Sequence, residues 1–106
     1  MKLAVACYAV TKPFPPSAAY GMTSQIRRSS TSVAANIAEG HGRENTGSFI
    51  QFLRMAQGSL KELETHLILA GRVGLVQQDA ATVLLKDTEE IGKMLRSMIR
   101  SLERRK

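Results

Sequence analysis

Between residues 49 and 70, Phe49, Leu53, Ala56, Leu60, Leu63, Leu67 and Ala70 follow one another at alternating steps of four and three. That spacing lays an unbroken apolar seam along one side of a helix, and a chain carrying it must bury the seam against other helices. A second seam of the same period, Leu84, Thr88, Ile91, Leu95, Met98 and Leu102, follows after a short link near Gly71 to Val76. Leu85 and Ile99 widen it on one edge, as suits a helix inside a bundle. So short a link forces the two helices into an antiparallel hairpin. No alternating strand pattern competes.

Upstream, the only prolines (Pro13, Pro15 and Pro16) cluster behind a short helical stretch, residues 2–12, with Leu3, Ala6, Cys7 and Val10 on one side. The residue before a proline is pushed out of helical conformation, which ends that helix at the cluster. Ser17 then reads as the N-cap of a second helix over residues 17–39, with Met22, Ile26, Val33 and Ile37 at helical spacing and Gly40 as its stop. Its middle is small and polar, and core-facing serines there need hydrogen-bond partners. The third helix covers residues 46–71, capped by Asn45 or Thr46 and closed by Gly71 or Gly74; the fourth covers residues 77–103. Gly58, inside the third helix, costs about 1 kcal/mol relative to alanine, so a neighbouring helix is expected to pack closely there. The expectation is one domain, residues 1–106, folded as an all-α, antiparallel up-and-down four-helix bundle with a short first helix.

Tryptophan is absent and aromatics are few, so the core is aliphatic. A lone cysteine, Cys7, makes no internal disulfide and reads as a small apolar residue of a reduced, cytoplasmic protein. The first residues resemble a signal peptide only faintly, with a short apolar run and no typical cleavage site. No stretch has the length a membrane span needs. The net charge of +6 permits nucleic acid or another anionic surface as partner.

Charge is most ordered on the fourth helix. Lys86, Lys93 and Arg100 recur every seven residues opposite the seam, beside Arg96 and Arg104, and the chain ends Arg104-Arg105-Lys106. Such a stripe suits phosphates, whose neutralisation releases counterions; Glu89, Glu90 and Glu103 interrupt it as on any solvated helix face. Lys93, Arg96, Arg100, Arg104, Arg105 and Lys106 are the candidate nucleic-acid contacts. Arg27 and Arg28 point about 100° apart, and one of them is expected to pair with Glu62 or Glu64 of the third helix. With Asn36, Glu39 and Arg43 these residues read as a structural polar corner. The glycines at Gly40 and Gly42 do not make a phosphate loop: the Gly-Lys-Ser/Thr pattern is missing and a helix C-terminus has the wrong dipole sign. A carboxylate di-metal site needs Glu-x-x-His pairs on two helices, whereas Glu62 and His66 lie four apart, outside the seam. No nucleophile motif, metal-ligand set or cofactor motif is present, so no catalytic residue is assigned.

Two stretches carry a family resemblance: Tyr20 to Arg28 with Ala35-Asn36-Ile37-Ala38-Glu39-Gly40 and Gly42-Arg43, then Phe49, Phe52-Leu53, Ala56 and Gly58 to Thr65. Together they resemble the "four helix bundle protein" family, which includes proteins encoded in intervening sequences of bacterial 23S ribosomal RNA genes. The likeness covers nearly the whole chain from Phe14. It implies a four-helix bundle assembled as a homopentamer with a basic surface. A related accessory protein of diversity-generating retroelements, similar in fold and assembly, works with a reverse transcriptase and nucleic acid. The family also implies a longer first helix, with an aromatic-containing segment ahead of residues 2–12, so either the start is truncated or a neighbouring subunit covers the groove. It often has proline where this chain has Ala34, and alanine there predicts a straighter second helix. Two readings follow: a non-enzymatic homo-oligomer binding RNA or DNA through its basic surface, or a scaffold whose function is oligomerisation and partner docking. In the second, Phe52, Ile68, Met94 and Ile99 would be contacts.

Overall fold

The computed structural model of the chain describes residues 2–105, with the side chains of residues 19 and 20 outside the description. Its helices are α1 (Lys2–Thr11), α2 (Ser24–His41), α3 (Thr46–Arg72) and α4 (Gln78–Arg105), and no strand occurs among the described residues. α2 packs chiefly on α3 and α3 on α4, while α1 lies against both α2 and α4, closing the ring of four. Ser32 meets Ser59 while Gly40 meets Phe52, so α2 and α3 run antiparallel. α3 and α4 do the same, with Gly92 beside Leu60 and Arg54 bonded to Glu103. The chain is therefore the expected all-α, up-and-down four-helix bundle with a short first helix.

The heptad seams become the core. Leu53, Ala56, Leu60, Leu63, Leu67 and Ala70 are all buried, and Ile50 is buried more deeply than Phe49 at the head of the seam. On α4, Leu84, Thr88, Leu95 and Leu102 are buried, but Ile91 and Met98 are only half-buried and Gly92 and Ile99 take the inner places. The seam is turned toward α3 because α3 accompanies α4 along most of its length and α1 does not. Ile99 is thus core, unavailable to a partner; Ile68 and Met94 remain exposed.

Small hydroxyl residues fill the centre without orphaned hydrogen bonds. Ser29 donates to the Gln25 carbonyl at 2.6 Å, Ser30 to Arg27 at 3.0 Å and Thr88 to Leu85 at 2.7 Å. Each satisfies its hydroxyl on its own helix, so these positions bury no unpaired donor. α2 also continues unbroken through Ala34, as alanine permits.

The helix ends differ from expectation in two places. Ser17 does not cap α2: it sits inside a 3₁₀ turn, Pro16–Ala18, followed by a wider π-type turn, Ala19–Thr23, before the α-helix begins at Ser24. Pro15 and Pro16 fix φ near helical values, so the chain is already turning at Ser17 and leaves it no extended capping geometry. Gly40 does not stop α2, which runs to His41 and closes on Gly42 at φ −82°. Asn45 does cap α3, its side-chain oxygen accepting the Ser48 N–H at 3.0 Å. After α3 the left-handed turn falls at Gly74, φ +81°, where a side chain would be strained.

Candidate nucleic-acid interface

Because α4 buries Leu84, Thr88, Leu95 and Leu102, its opposite side must face water, and there the sequence supplies Lys86, Lys93, Arg100 and Arg104. Steps of seven and four residues keep these on one crest, about 27 Å from Lys86 to Arg104 at 1.5 Å per residue. Arg96 lies on the edge turned to α3, and exposed Arg105 falls in the row of Asp87, which lies five turns before it. Lys93 Nζ is 3.6 Å from Glu89, an exposed pair that holds its charge only weakly. Among the described residues no carboxylate lies within 4 Å of Lys86, Arg96, Arg100, Arg104 or Arg105. The sixth candidate, Lys106, lies outside the described residues. The crest is a row of exposed cations along one helix, with Glu89, Glu90 and Glu103 close by in sequence.

Beside it, α3 and α4 part on their outer side into a groove of about 760 Å³. Leu60, Thr88 and Gly92 form its floor, and Gly58 leaves one wall low. Nothing lies within 4 Å of a methyl group built at Gly58. The expected close packing at Gly58 is therefore absent; Gly92 is where helices approach, its would-be methyl 3.6 Å from Leu60 Cδ2. Arg54, Lys61 and Arg96 rim the groove with Glu64 and Glu89. Arg54 bonds Glu103 at 2.9 Å and Lys61 sits 3.6 Å from Glu64. Sequence reasoning omits Arg54 and Lys61, although their seven-residue step equals that from Lys93 to Arg100.

The polar corner resolves into separate pieces. Arg27 pairs with neither Glu62 nor Glu64: its Nε–H donates to Thr11 Oγ1 at 2.8 Å and its guanidinium lies 4.8 Å from the Tyr8 ring centroid. It points to α1 because α2 turns that side away from α3. Arg28 is exposed with no carboxylate within 4 Å among the described residues. Glu62 approaches His66 at 3.8 Å, and Glu64 serves Lys61. Asn36 donates to the Ser32 carbonyl and hydroxyl, and Ser32 bonds Ser59 across the α2–α3 seam at 2.7 Å. The corner itself is aromatic: Arg43 bonds Glu39 and lies over Phe52, 4.6 Å from its centroid, and Phe49 presses on Gly40.

Cys7 is fully buried. Burial pushes its thiol up to about 11, a hydrogen bond with Ser30 pulling the other way and Asp87 adding to the rise. Such a thiol is unreactive in the closed bundle. Among the described residues no His, Cys, Asp and Glu are grouped to hold a metal ion, and no helix is long and apolar enough to cross a membrane.

Comparison with known proteins returns one family model, described as 23S rRNA-intervening sequence protein, over residues 1–97. Among solved structures, a crystal structure of a protein of unknown function from the S23 ribosomal protein family of Bacteroides thetaiotaomicron is similar. The two share 30% identity over 92% of each chain, with a TM-score of 0.83. No curated protein matches.

Proposed function

The chain belongs to the 23S rRNA-intervening sequence protein family, and from that premise we propose that it is a non-enzymatic, homo-oligomeric bundle that binds RNA or DNA through its basic surface. The observation carrying this reading is the α4 crest: Lys86, Lys93, Arg100 and Arg104 in line with Arg96 beside them, and, among the described residues, a carboxylate within 4 Å of Lys93 alone. Sequence-independent nucleic-acid affinity comes from such cations releasing counterions from phosphates. Replacing Lys93, Arg96 and Arg100 together by Ala removes three cations from exposed positions, so the fold stands. The slope of log affinity against log salt should flatten by about 2–3. Unchanged binding at low salt removes the crest from the mechanism.

Self-association is supported by a second edge of α4. Val83 and Met94 are exposed, and helical spacing sets them in one row with Asp87 and Glu90, on the side of α4 away from Arg96. An acidic, apolar edge of this kind suits a different patch on a second copy, a head-to-tail contact that makes a ring where the rotation closes. The family likeness implies five subunits. Light scattering reads the mass directly, and a strict monomer would remove the oligomer from the proposal. A scaffold role remains the second reading, favoured by exposed Ile68 and Met94: in that case nucleic acid leaves the protein unbound while a partner protein engages those side chains.

A further inference from the structure

Resting on the self-association reading above, we infer that the outer face of α1 and α2 is the patch that seats the acidic, apolar α4 edge of a second copy. The face comes from a stretch of sequence with one sign of charge: Lys2, Lys12, Arg27 and Arg28 precede Glu39, and no Asp or Glu does. Between Lys2 and Lys12, α1 has no charged residue, and a helix apolar all round belongs inside a core. In one copy it is not enclosed. Leu3, Cys7 and Thr11 turn inward, while Val5 is 68% and Tyr8 47% exposed, with Ala9 exposed beside them. Arg27 over the Tyr8 ring joins this side of α1 to α2, where Thr31, Ala35 and Ala38 are exposed at helical steps from it. Their small side chains make a shallow floor next to the bulk of Val5 and Tyr8. Lys12 and Arg28 border the face, exposed and with no carboxylate within 4 Å among the described residues.

The α4 edge has the opposite chemistry. Val83 and Met94 are 60% and 48% exposed, and Asp87 and Glu90 lie between them in the same row. Among the described residues neither carboxylate has a cation within 4 Å. Lys2 shares with both a groove of about 450 Å³ between α1 and α4, without reaching either. Lys86 stands one turn before Glu90, but the residues three and four steps from Asp87 (Val83, Leu84, Glu90 and Ile91) include no cation. Asp87 is therefore the carboxylate left for another subunit. The face calls for protein and not for a phosphate backbone, because its centre is apolar: Val5 gains nothing from a phosphate, yet leaves water when Val83 or Met94 covers it. Edge and crest occupy different sides of α4, so one copy carries both.

The test is light scattering of wild type, Val5→Glu, Arg28→Glu and Met94→Lys, with circular dichroism expected unchanged because all three positions are exposed. Val5→Glu and Arg28→Glu set an acid on the face that meets an acidic edge, and Met94→Lys sets a cation on the edge that meets a cationic face. Each should weaken association at least about 10-fold, since like charges juxtaposed at an interface are strongly unfavourable. Mixing decides the pairing. Val5→Glu keeps an intact edge and Met94→Lys an intact face, so the two should form a one-to-one heterodimer together while each alone loses mass. A mixture that does not pair, or loss of assembly in only one of these two variants, overturns the assignment of edge to face. Wild-type mass in all three variants refutes the surface and leaves self-association standing. A strictly monomeric wild type sinks both readings; if that monomer sediments with phosphatidylserine vesicles and Val5→Glu does not, the face belongs to a lipid surface instead.

Discussion

The same substitution, glycine to alanine, should move stability in opposite directions at Gly40 and Gly58. Both glycines lie inside α-helices, α2 and α3, where alanine is intrinsically better by about 1 kcal/mol. At Gly58 nothing opposes that gain: the added methyl has no neighbour within 4 Å. At Gly40 it would lie 2.9 Å from Phe49 Cδ1 and 3.2 Å from Phe52 Cβ. The Phe49 ring has room to move, being half-buried and inclined at 56° to His41 with centroids 4.9 Å apart, but Phe52 Cβ is fixed to the α3 backbone and the two helices would have to separate. Overpacking of this kind costs about 1–3 kcal/mol, and Gly40 sits in the last turn of α2, where the propensity gain is smallest. The net expectation is a loss of about 1–2 kcal/mol for Gly40→Ala and a gain of about 1 kcal/mol for Gly58→Ala. At about 4–8 °C per kcal/mol for a domain near this size, the two melting temperatures should differ by more than about 8 °C. Far-UV circular dichroism melts at matched protein concentration measure this. A Gly40→Ala variant as stable as wild type would show that the α2–α3 corner yields freely and that the Phe49–Phe52 contact does not fix it.

Arg27→Ala should cost about 1–2 kcal/mol, since it removes a charged donor to Thr11 and the stack on Tyr8. Because those contacts hold α1, hydrogen exchange in residues 3–11 should quicken more than in α3, and equal acceleration everywhere would count against a local role. Cys7 reports the same opening through pH. Its native thiol is raised from 9.0 to about 11, so the unfolded state gives up its proton first. The thiol's contribution is therefore complete below pH 9 and is lost as pH climbs toward 11, by up to about 2–3 kcal/mol at 1.36 kcal/mol per pH unit. Cys7→Ala should lack this share of the alkaline decline, and identical alkaline profiles in urea titrations would refute it.

What the sequence made legible was whatever depends on one helix at a time. The α3 seam from Leu53 to Ala70 is buried residue for residue, Asn45 caps as its side chain suggests, and the α4 crest faces water because its opposite face is apolar. What stayed illegible depends on register between helices, which periodicity leaves free. Arg27 carries no mark distinguishing a partner on α1 from one on α3; only the depth at which Thr11 docks places that hydroxyl 2.8 Å from Nε. The glycines make the point more sharply. In sequence Gly40 looks like a helix stop, Gly58 like a close contact and Gly92 like nothing in particular. In the bundle the first is the tightest position, the second faces open space and the third meets Leu60. Removing a side chain is silent about what occupies the space it vacates. The groove between α3 and α4 arises from that silence, since Gly58 and Gly92 open it only because antiparallel pairing sets Leu60 beside Gly92 and brings Arg54 and Arg96 to its rims.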